Sequence, residues 1–209
     1  MEKKTSLILD IDGTLWDTRE IICRGWNDAI RQDGRSHMVA TPENIRPLLG
    51  KTMAEIADAF FGDVDPDTRQ DIMDKCLEPE HEALVQDPCR VTYPGVPETI
   101  RAMAKERDLY IVSNCQDGYV EMFLEKTGLG PMIRDAEWYG RTRACKGESI
   151  RILMERNKIQ RAMYVGDTQG DLESAEYAGI PFVWASYGFG SPAHWDYQIA
   201  TFPELKDLP

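Results

Sequence analysis

Nowhere does the chain hold a hydrophobic run long enough to cross a membrane or to form the core of a secretion signal. Met1-Glu2-Lys3-Lys4 leads into a short apolar stretch that Asp10 interrupts after a few residues. Cysteine is sparse and unpaired in pattern: Cys23, Cys76, Cys89, Cys115 and Cys145 are odd in number and include no C-x-x-C pair. They read as reduced thiols of a cytoplasmic protein, and a zinc site is not expected. Basic residues are outnumbered, 24 Lys and Arg against 36 Asp and Glu, for a formal net charge of −12. That balance argues against nucleic acid or an anionic membrane as partner, because both need a surplus of positive charge. A phosphorylated ligand stays open, since a bound divalent cation reverses the local sign. Only three histidines are present (His37, His81, His194), without the mutual spacing of a metal site or a triad. Internal repeats, low-complexity segments and structureless linkers are also missing.

What is present is an ordinary globular composition, 42% hydrophobic and 29% charged over 209 residues, enough for one α/β domain and a smaller appendage. Leu7 to Ile11 is apolar almost throughout, as in a strand buried on both faces. Leu109 to Val112, Ala162 to Val165 and Pro181 to Ala185 read the same way. Between them lie helical patterns: Ile100, Met103 and Ala104; Tyr119, Val120, Phe123 and Leu124; Ile150, Leu153 and Met154; and, more loosely, Leu172, Ala175 and Ala178. Strands and helices alternating at this length predict βαβ units on a parallel sheet. The stretch from Thr18 to Pro88 breaks the rhythm. It is helical in pattern, with Met53, Ile56, Ala57 and Phe60 at the spacing of an apolar stripe, and its second half is acid-rich. From Glu55 to Glu82 there are ten Asp or Glu against Arg69 and Lys75 alone, a run expected to be a solvated helix face. Pro94-Gly95 and Pro97 mark the return to the α/β part. The expected fold is therefore a Rossmann-like parallel-sheet core, residues 1–17 and 89–209, with a helical domain, 18–88, inserted after the first strand.

Four groups of residues fall at the carboxyl ends of those strands, the edge at which open parallel sheets bind ligands. Asp10-Ile11-Asp12-Gly13-Thr14-Leu15 places two carboxylates one residue apart, and Gly13 permits the sharp turn that brings both into one site. A carboxylate can attack phosphorus, and a second can give a proton to the leaving group and later take one from water. An Asp-Gly turn after a strand is the plainer reading. Ser113-Asn114 offers a hydroxyl and main-chain N–H groups to a phosphoryl oxygen, or simply a helix N-cap. Lys146 opens a helix against the dipole, which invites an anionic partner, although a lysine is by default exposed. In Gly166-Asp167-Thr168-Gln169-Gly170-Asp171 the two acids stand one helical turn apart. With Asp10 they can anchor magnesium, while either alone can be a cap.

In this order and at these places, the four groups resemble the motifs of the haloacid dehalogenase superfamily: a D-x-D-G-T run, a strand-terminal Ser or Thr, a Lys, and a G-D-x-x-x-D run. The resemblance covers nearly the whole chain. Tyr93 to Val96, Glu137 to Thr142 and Ala200 to Leu208 look like linkers of that family. Two departures stand out: no proline follows Lys146, and Trp16 occupies a place more often aliphatic. The resemblance implies Asp10 as nucleophile and metal ligand, and Asp12 as general acid/base whose carbonyl also reaches the metal. It implies Ser113, Asn114 and Lys146 as phosphate binders, Asp167 as a metal ligand, and Asp171 as a direct or water-mediated one. The insert resembles the small α-helical cap of the phosphoglycolate-phosphatase-like branch; that resemblance makes Lys51 a candidate contact to substrate, a plain surface lysine being the alternative reading. Gly50-Lys51-Thr52 is not a P-loop, because Ile45 stands where that motif needs glycine. The implied activity is Mg2+-dependent hydrolysis of a small phosphorylated metabolite by a monomer or small homo-oligomer. A phosphosugar mutase would share every motif, and a non-catalytic phospho-ligand-binding protein is the alternative from another class.

Overall fold

The structure, a computed structural model, describes residues 5–88 and 91–209; Cys89 lies outside them. The chain divides into two compact units, Met1–Asp17 with Thr92–Pro209, and Thr18–Val91. In chain order the elements are β1 (Ser6–Leu9), α1 (Arg19–Asp33), α2 (Pro42–Ile45), α3 (Met53–Phe60), α4 (Pro66–Gln86), α5 (Val96–Met103), β2 (Leu109–Ser113), α6 (Tyr119–Thr127), β3 (Asp135–Trp138), α7 (Tyr139–Thr142), α8 (Lys146–Asn157), β4 (Ala162–Gly166), α9 (Gln169–Ala178), β5 (Phe182–Ala185) and β6 (Tyr197–Ile199).

The larger unit is built on a sheet of order β3-β2-β1-β4-β5-β6, every pair parallel. This is the expected Rossmann-like α/β architecture. β1 sits at its centre, with Leu7 opposite both Leu109 and Met163, and Leu9 opposite Ile111 and Val165. Leu7, Ile8 and Leu9 are fully buried, and so is nearly all of β2 and β4, which explains why the central strands are continuously apolar. Alternation sends Ile8, Tyr110, Val112, Tyr164 and Phe182 to one face, where Ile150 and Leu153 of α8 and Leu172 and Ala175 of α9 cover them. The chain runs outward from β1 to β3 on one side and from β4 to β6 on the other. The carboxyl ends of β1 and its neighbours therefore meet at the reversal of strand order, where such sheets form a crevice.

Two strands escape the apolar signal. Glu137 to Thr142, expected as a linker, supplies the end of β3 and the short α7, and Ala200 to Leu208 includes a 3-10 turn at Phe202–Asp207. β3 reads Asp-Ala-Glu-Trp, and its buried member is Glu137. That carboxylate is countered by Arg156 at 2.5 Å and Arg141 at 3.6 Å, so the buried charge is balanced by side chains outside the strand.

The Thr18–Val91 unit packs α1 along α4. Gly25 lies so close to α4 that a Cβ there would come within 2.7 Å of the Pro79 carbonyl oxygen. Trp26 stacks edge-on with Phe60 at 5.7 Å between ring centres. Nine acids of the acidic run are exposed, as a solvated face should be, but Glu80 is buried and accepts the Trp26 Nε1–H at 2.6 Å. Among the described residues no helix is long and apolar enough to cross a membrane.

Candidate active site

Asp10 follows β1 and stays in the sheet, its N–H donating to the Val165 carbonyl at 2.9 Å. The chain then turns around the Ile11 carbonyl, which accepts the N–H groups of Thr14, Leu15 and Trp16. Gly13 makes the turn at φ +81°, and a Cβ on it would lie 2.4 Å from Asp167 Oδ2. Glycine is required there twice over, for the left-handed backbone and for the close approach.

Asp10, Asp167 and Asp171 converge: each is buried, and each offers a carboxylate oxygen within 4.8 Å of the others. Lys146, the first residue of α8 and 4% exposed, points its ammonium at two of them, 3.0 Å from Asp10 Oδ1 and 2.7 Å from Asp171 Oδ1. Those carboxylates account for a lysine placed against the helix dipole, and burial replaces the exposed position that lysine takes by default. Asp171 serves α9 as well. Its Oδ2 accepts the N–H groups of Asp167 and Thr168 and the Thr168 hydroxyl, while Thr168 Oγ1 accepts the Asp171 N–H, a reciprocal capping box. Tyr164 adds its hydroxyl to Asp171 Oδ1 at 3.3 Å. Asp167 receives Thr14 Oγ1 on Oδ1 at 3.3 Å and the Phe189 N–H on Oδ2 at 2.6 Å.

Charge is unbalanced in this pocket, with three carboxylates and one ammonium. Burial, against the pull of Lys146, drives the Asp10 carboxyl well above its ordinary value, and the charges of Asp171, Asp167 and Asp12 push the same way. Burial and Asp171 raise Asp167 to about 7. Asp171 is held below its ordinary value although burial opposes it, because Lys146 and the capping hydrogen bonds outweigh the desolvation. Asp10 Oδ2 is buried and accepts no hydrogen bond. An all-oxygen donor set with surplus negative charge and an orphaned carboxylate oxygen fits a hard divalent cation such as magnesium.

Asp12 stands apart from the acidic cluster, its Oδ1 accepting Tyr119 Oη–H at 2.6 Å and Trp16 Nε1–H at 3.0 Å. Ser113, the last residue of β2, is buried and hydrogen-bonded to the Cys115 thiol, with Asn114 next to it and half-buried. Lys51 belongs to the Thr18–Val91 unit. It is exposed and precedes Thr52, which caps α3. Sequence reasoning passed over several participants. Thr14 lay inside the quoted run, Tyr119 was counted only as an apolar helix position, and Tyr164 only as strand. Phe189 sits in Tyr187-Gly188-Phe189-Gly190, where the paired glycines were the available signal: a Cβ on Gly188 would lie 2.4 Å from both Asp167 Cβ and the Gly13 carbonyl oxygen.

Fold and edge together mark an α/β enzyme in which buried carboxylates, countered by one lysine, meet at the carboxyl ends of a parallel sheet. The family described as haloacid dehalogenase-like hydrolases matches residues 7–185. Pyrophosphatase PpaX of Listeria innocua is 26% identical, over 92% of this chain and 88% of that protein. N-acetylmuramic acid 6-phosphate phosphatase of Pseudomonas aeruginosa is 26% identical, over 93% of this chain and 88% of its own length. A predicted phosphoglycolate phosphatase of Haemophilus somnus shares the fold, with a TM-score of 0.84 at 19% identity over 99% of this chain and 98% of that one. The chain belongs to the haloacid dehalogenase-like hydrolases, and the expected class of phosphoric monoester hydrolase stands.

Proposed function

We propose that the protein hydrolyses a small phosphorylated metabolite in two steps, with magnesium bound and Asp10 as nucleophile. The observation that carries this reading is the state of Asp10. One of its oxygens is gripped by Lys146 and the other accepts no hydrogen bond, leaving a lone pair for an electrophile. In the first step an Asp10 oxygen bonds to phosphorus as the ester P–O bond breaks, and Asp12 gives its proton to the departing alcohol. In the second, Asp12 takes a proton from water as the water oxygen bonds to phosphorus and the bond to Asp10 breaks. Lys146, Ser113 and Asn114 hold the phosphoryl oxygens, where positioning and charge dominate the barrier. Magnesium would be held by Asp10, Asp167 and Asp171 with the Asp12 carbonyl, and would neutralise charge on the transferring group.

The Thr18–Val91 unit is read as the cap that selects substrate, with Lys51 as a candidate contact. The free cysteines Cys23, Cys76, Cys115 and Cys145 support work in the reducing cytoplasm, and the acidic net charge supports a small-molecule rather than a nucleic-acid partner. The test is phosphate release from a panel of phosphoglycolate, sugar phosphates, nucleoside monophosphates and an aryl phosphate, with magnesium and with chelator. Release that needs magnesium and falls by roughly 10² or more in Asp10→Asn is expected. Near-parental turnover in that variant refutes Asp10 as nucleophile, and the absence of release from every compound refutes the hydrolase.

A further inference from the structure

β1 and β4 run side by side, and their pairing ends with Leu9 opposite Val165 and the Asp10 N–H on the Val165 carbonyl. Beyond that point the ladder stops, and the spacing of Asp10 and Asp167 depends on the loops that carry them. Tyr187-Gly188-Phe189-Gly190, the segment after β5, touches both loops. Tyr187 Oη–H donates to the Thr14 carbonyl at 2.8 Å. Gly188 is pressed between the two: a Cβ on it would lie 2.4 Å from the Gly13 carbonyl oxygen and 2.4 Å from Asp167 Cβ. The Phe189 N–H donates to Asp167 Oδ2 at 2.6 Å, and the Gly190 N–H also bonds that carboxylate. Four consecutive residues thus hold the turn at 10–14 at one end and Asp167 at the other.

The segment is itself anchored. Ser186, just before it, donates its N–H and its hydroxyl to the Ile199 carbonyl of β6, both at 3.0 Å. The Gly188 N–H closes a turn on the Ala185 carbonyl at 3.0 Å. The Tyr187 ring stands against Tyr93 at 4.7 Å between ring centres, and the Tyr93 N–H donates to the Leu15 carbonyl at 3.0 Å. Phenylalanine would serve that ring packing equally well. A tyrosine hydroxyl in such a place needs an acceptor, and the one it takes belongs to Thr14, whose own hydroxyl reaches Asp167 Oδ1 at 3.3 Å. The two loops are tied to each other twice, and Tyr187 is in one of the ties.

We infer that Tyr187 is a positioning residue for the proposed magnesium site: through its hydroxyl, residues 187–190 brace the turn at 10–14 against Asp167 and preset the spacing of the carboxylates that would hold the cation. The inference rests on the reading of Asp10, Asp167 and Asp171 as magnesium ligands and deepens it. Preset spacing matters because magnesium demands near-ideal geometry of its oxygen ligands, so a slack site binds it less well. Contacts that support a ligand in this way contribute about 10- to 100-fold in metal affinity.

The test is a calorimetric titration of the full chain, stripped of metal by chelator, with magnesium. Tyr187→Phe keeps the ring against Tyr93 and removes only the hydroxyl. It is expected to weaken the magnesium Kd about tenfold, while the Tm without metal falls by only about 2–4 °C, as for the loss of one hydrogen bond. Gly190→Ala disturbs the segment from the other end, since its Cβ would come within 2.7 Å of the Asp167 carbonyl oxygen, and is expected to act in the same sense. Thr127→Val is the control. It removes a hydroxyl bond to the Phe123 carbonyl, 2.7 Å long and outside the acidic cluster, and should keep the parental Kd. Turnover supplies a second readout. At limiting magnesium kcat/KM of Tyr187→Phe should fall, and magnesium raised about tenfold should restore it to within about twofold of the parent. A Tyr187→Phe Kd within about twofold of the parent overturns the brace, and so does a loss of kcat/KM that added magnesium does not restore. If the parent itself takes up no magnesium, the reading of the acidic cluster fails and the brace with it. Magnesium uptake without phosphate release from any ester sinks the phosphatase reading alone, because the titration does not depend on turnover.

Discussion

Gly188→Ala tests how tightly the loop after β5 is fitted to the acidic cluster. The residue is not among the positive-φ positions, so alanine brings no backbone strain and the effect is one of volume. The added methyl carbon would lie 2.4 Å from Asp167 Cβ, 2.4 Å from the Gly13 carbonyl oxygen and 2.6 Å from Asp167 Oδ2, where ordinary contact begins at 3.4 Å. Relief requires a movement of about 1 Å by groups that are backbone or short side chain, and overpacking of this kind costs about 1–3 kcal/mol. For a chain of this size that corresponds to a Tm lower by about 2–12 °C. Displacing Asp167 also weakens the proposed cation site, and loss of a supporting contact typically costs about tenfold or more in metal affinity. At magnesium about 100 times the parental Kd, the parent gains about 2.7 kcal/mol from binding and the variant only about 1.4 kcal/mol. The assay is thermal unfolding with and without magnesium. Gly62→Ala serves as the control, because nothing lies within 4 Å of a Cβ built there. A Gly188→Ala protein with the parental Tm and the parental magnesium-induced shift refutes the reasoning.

Two further outcomes follow from the same structure. The Asp33 carboxyl is held well below its ordinary value by its hydrogen bond to Arg35, against some desolvation and with help from Lys75. A depressed carboxylate stabilises above its unfolded-state pKa of about 3.9 and loses that contribution as pH falls below it. Because Arg35 and Lys75 are 42% and 52% exposed, the contribution is about 1 kcal/mol. Asp33→Asn should therefore be less stable than the parent in denaturant at pH 7, with the gap closing below pH ~4; a gap that persists or widens in acid contradicts this. For the thiols, Cys115 is buried and pushed far up by desolvation, and Cys23 and Cys76 are raised to about 11 and about 12, whereas Cys145 is exposed. In a Cys89→Ser background a thiol reagent should label Cys145 fast and the other three slowly, so Cys145→Ser should abolish the fast phase; fast labelling of Cys115 would contradict its burial.

Legibility in the sequence followed the kind of information each element carries. β1, β2, β4 and β5 were readable because burial on both faces demands unbroken apolar runs, which are local. β3 was not, because Glu137 is tolerated only through Arg141 and Arg156. β6 is three residues long and carries no pattern at all. The candidate site divides along the same line. Asp10 with Asp12, and Asp167 with Asp171, announce themselves by spacing, and Thr168-x-x-Asp171 could have been read as a capping box. The grip of Lys146 on Asp171 across 25 positions and of Tyr119 on Asp12 across 107 exists only after the sheet has assembled.

Asp171 carries two obligations on one carboxylate: Oδ2 starts α9, and Oδ1 seats Lys146. Fraying of that helix therefore takes from Lys146 one of its two carboxylate partners and leaves it to Asp10, so the first turn of α9 cannot breathe without disturbing the site. The same sharing narrows what descent with modification can try. Serine or threonine at this position would leave Thr168 as the helix cap, yet would remove one of the two carboxylates that Lys146 faces. Asparagine would keep the shape but surrender the charge. Local folding and chemistry are thereby inherited together, as one character rather than two.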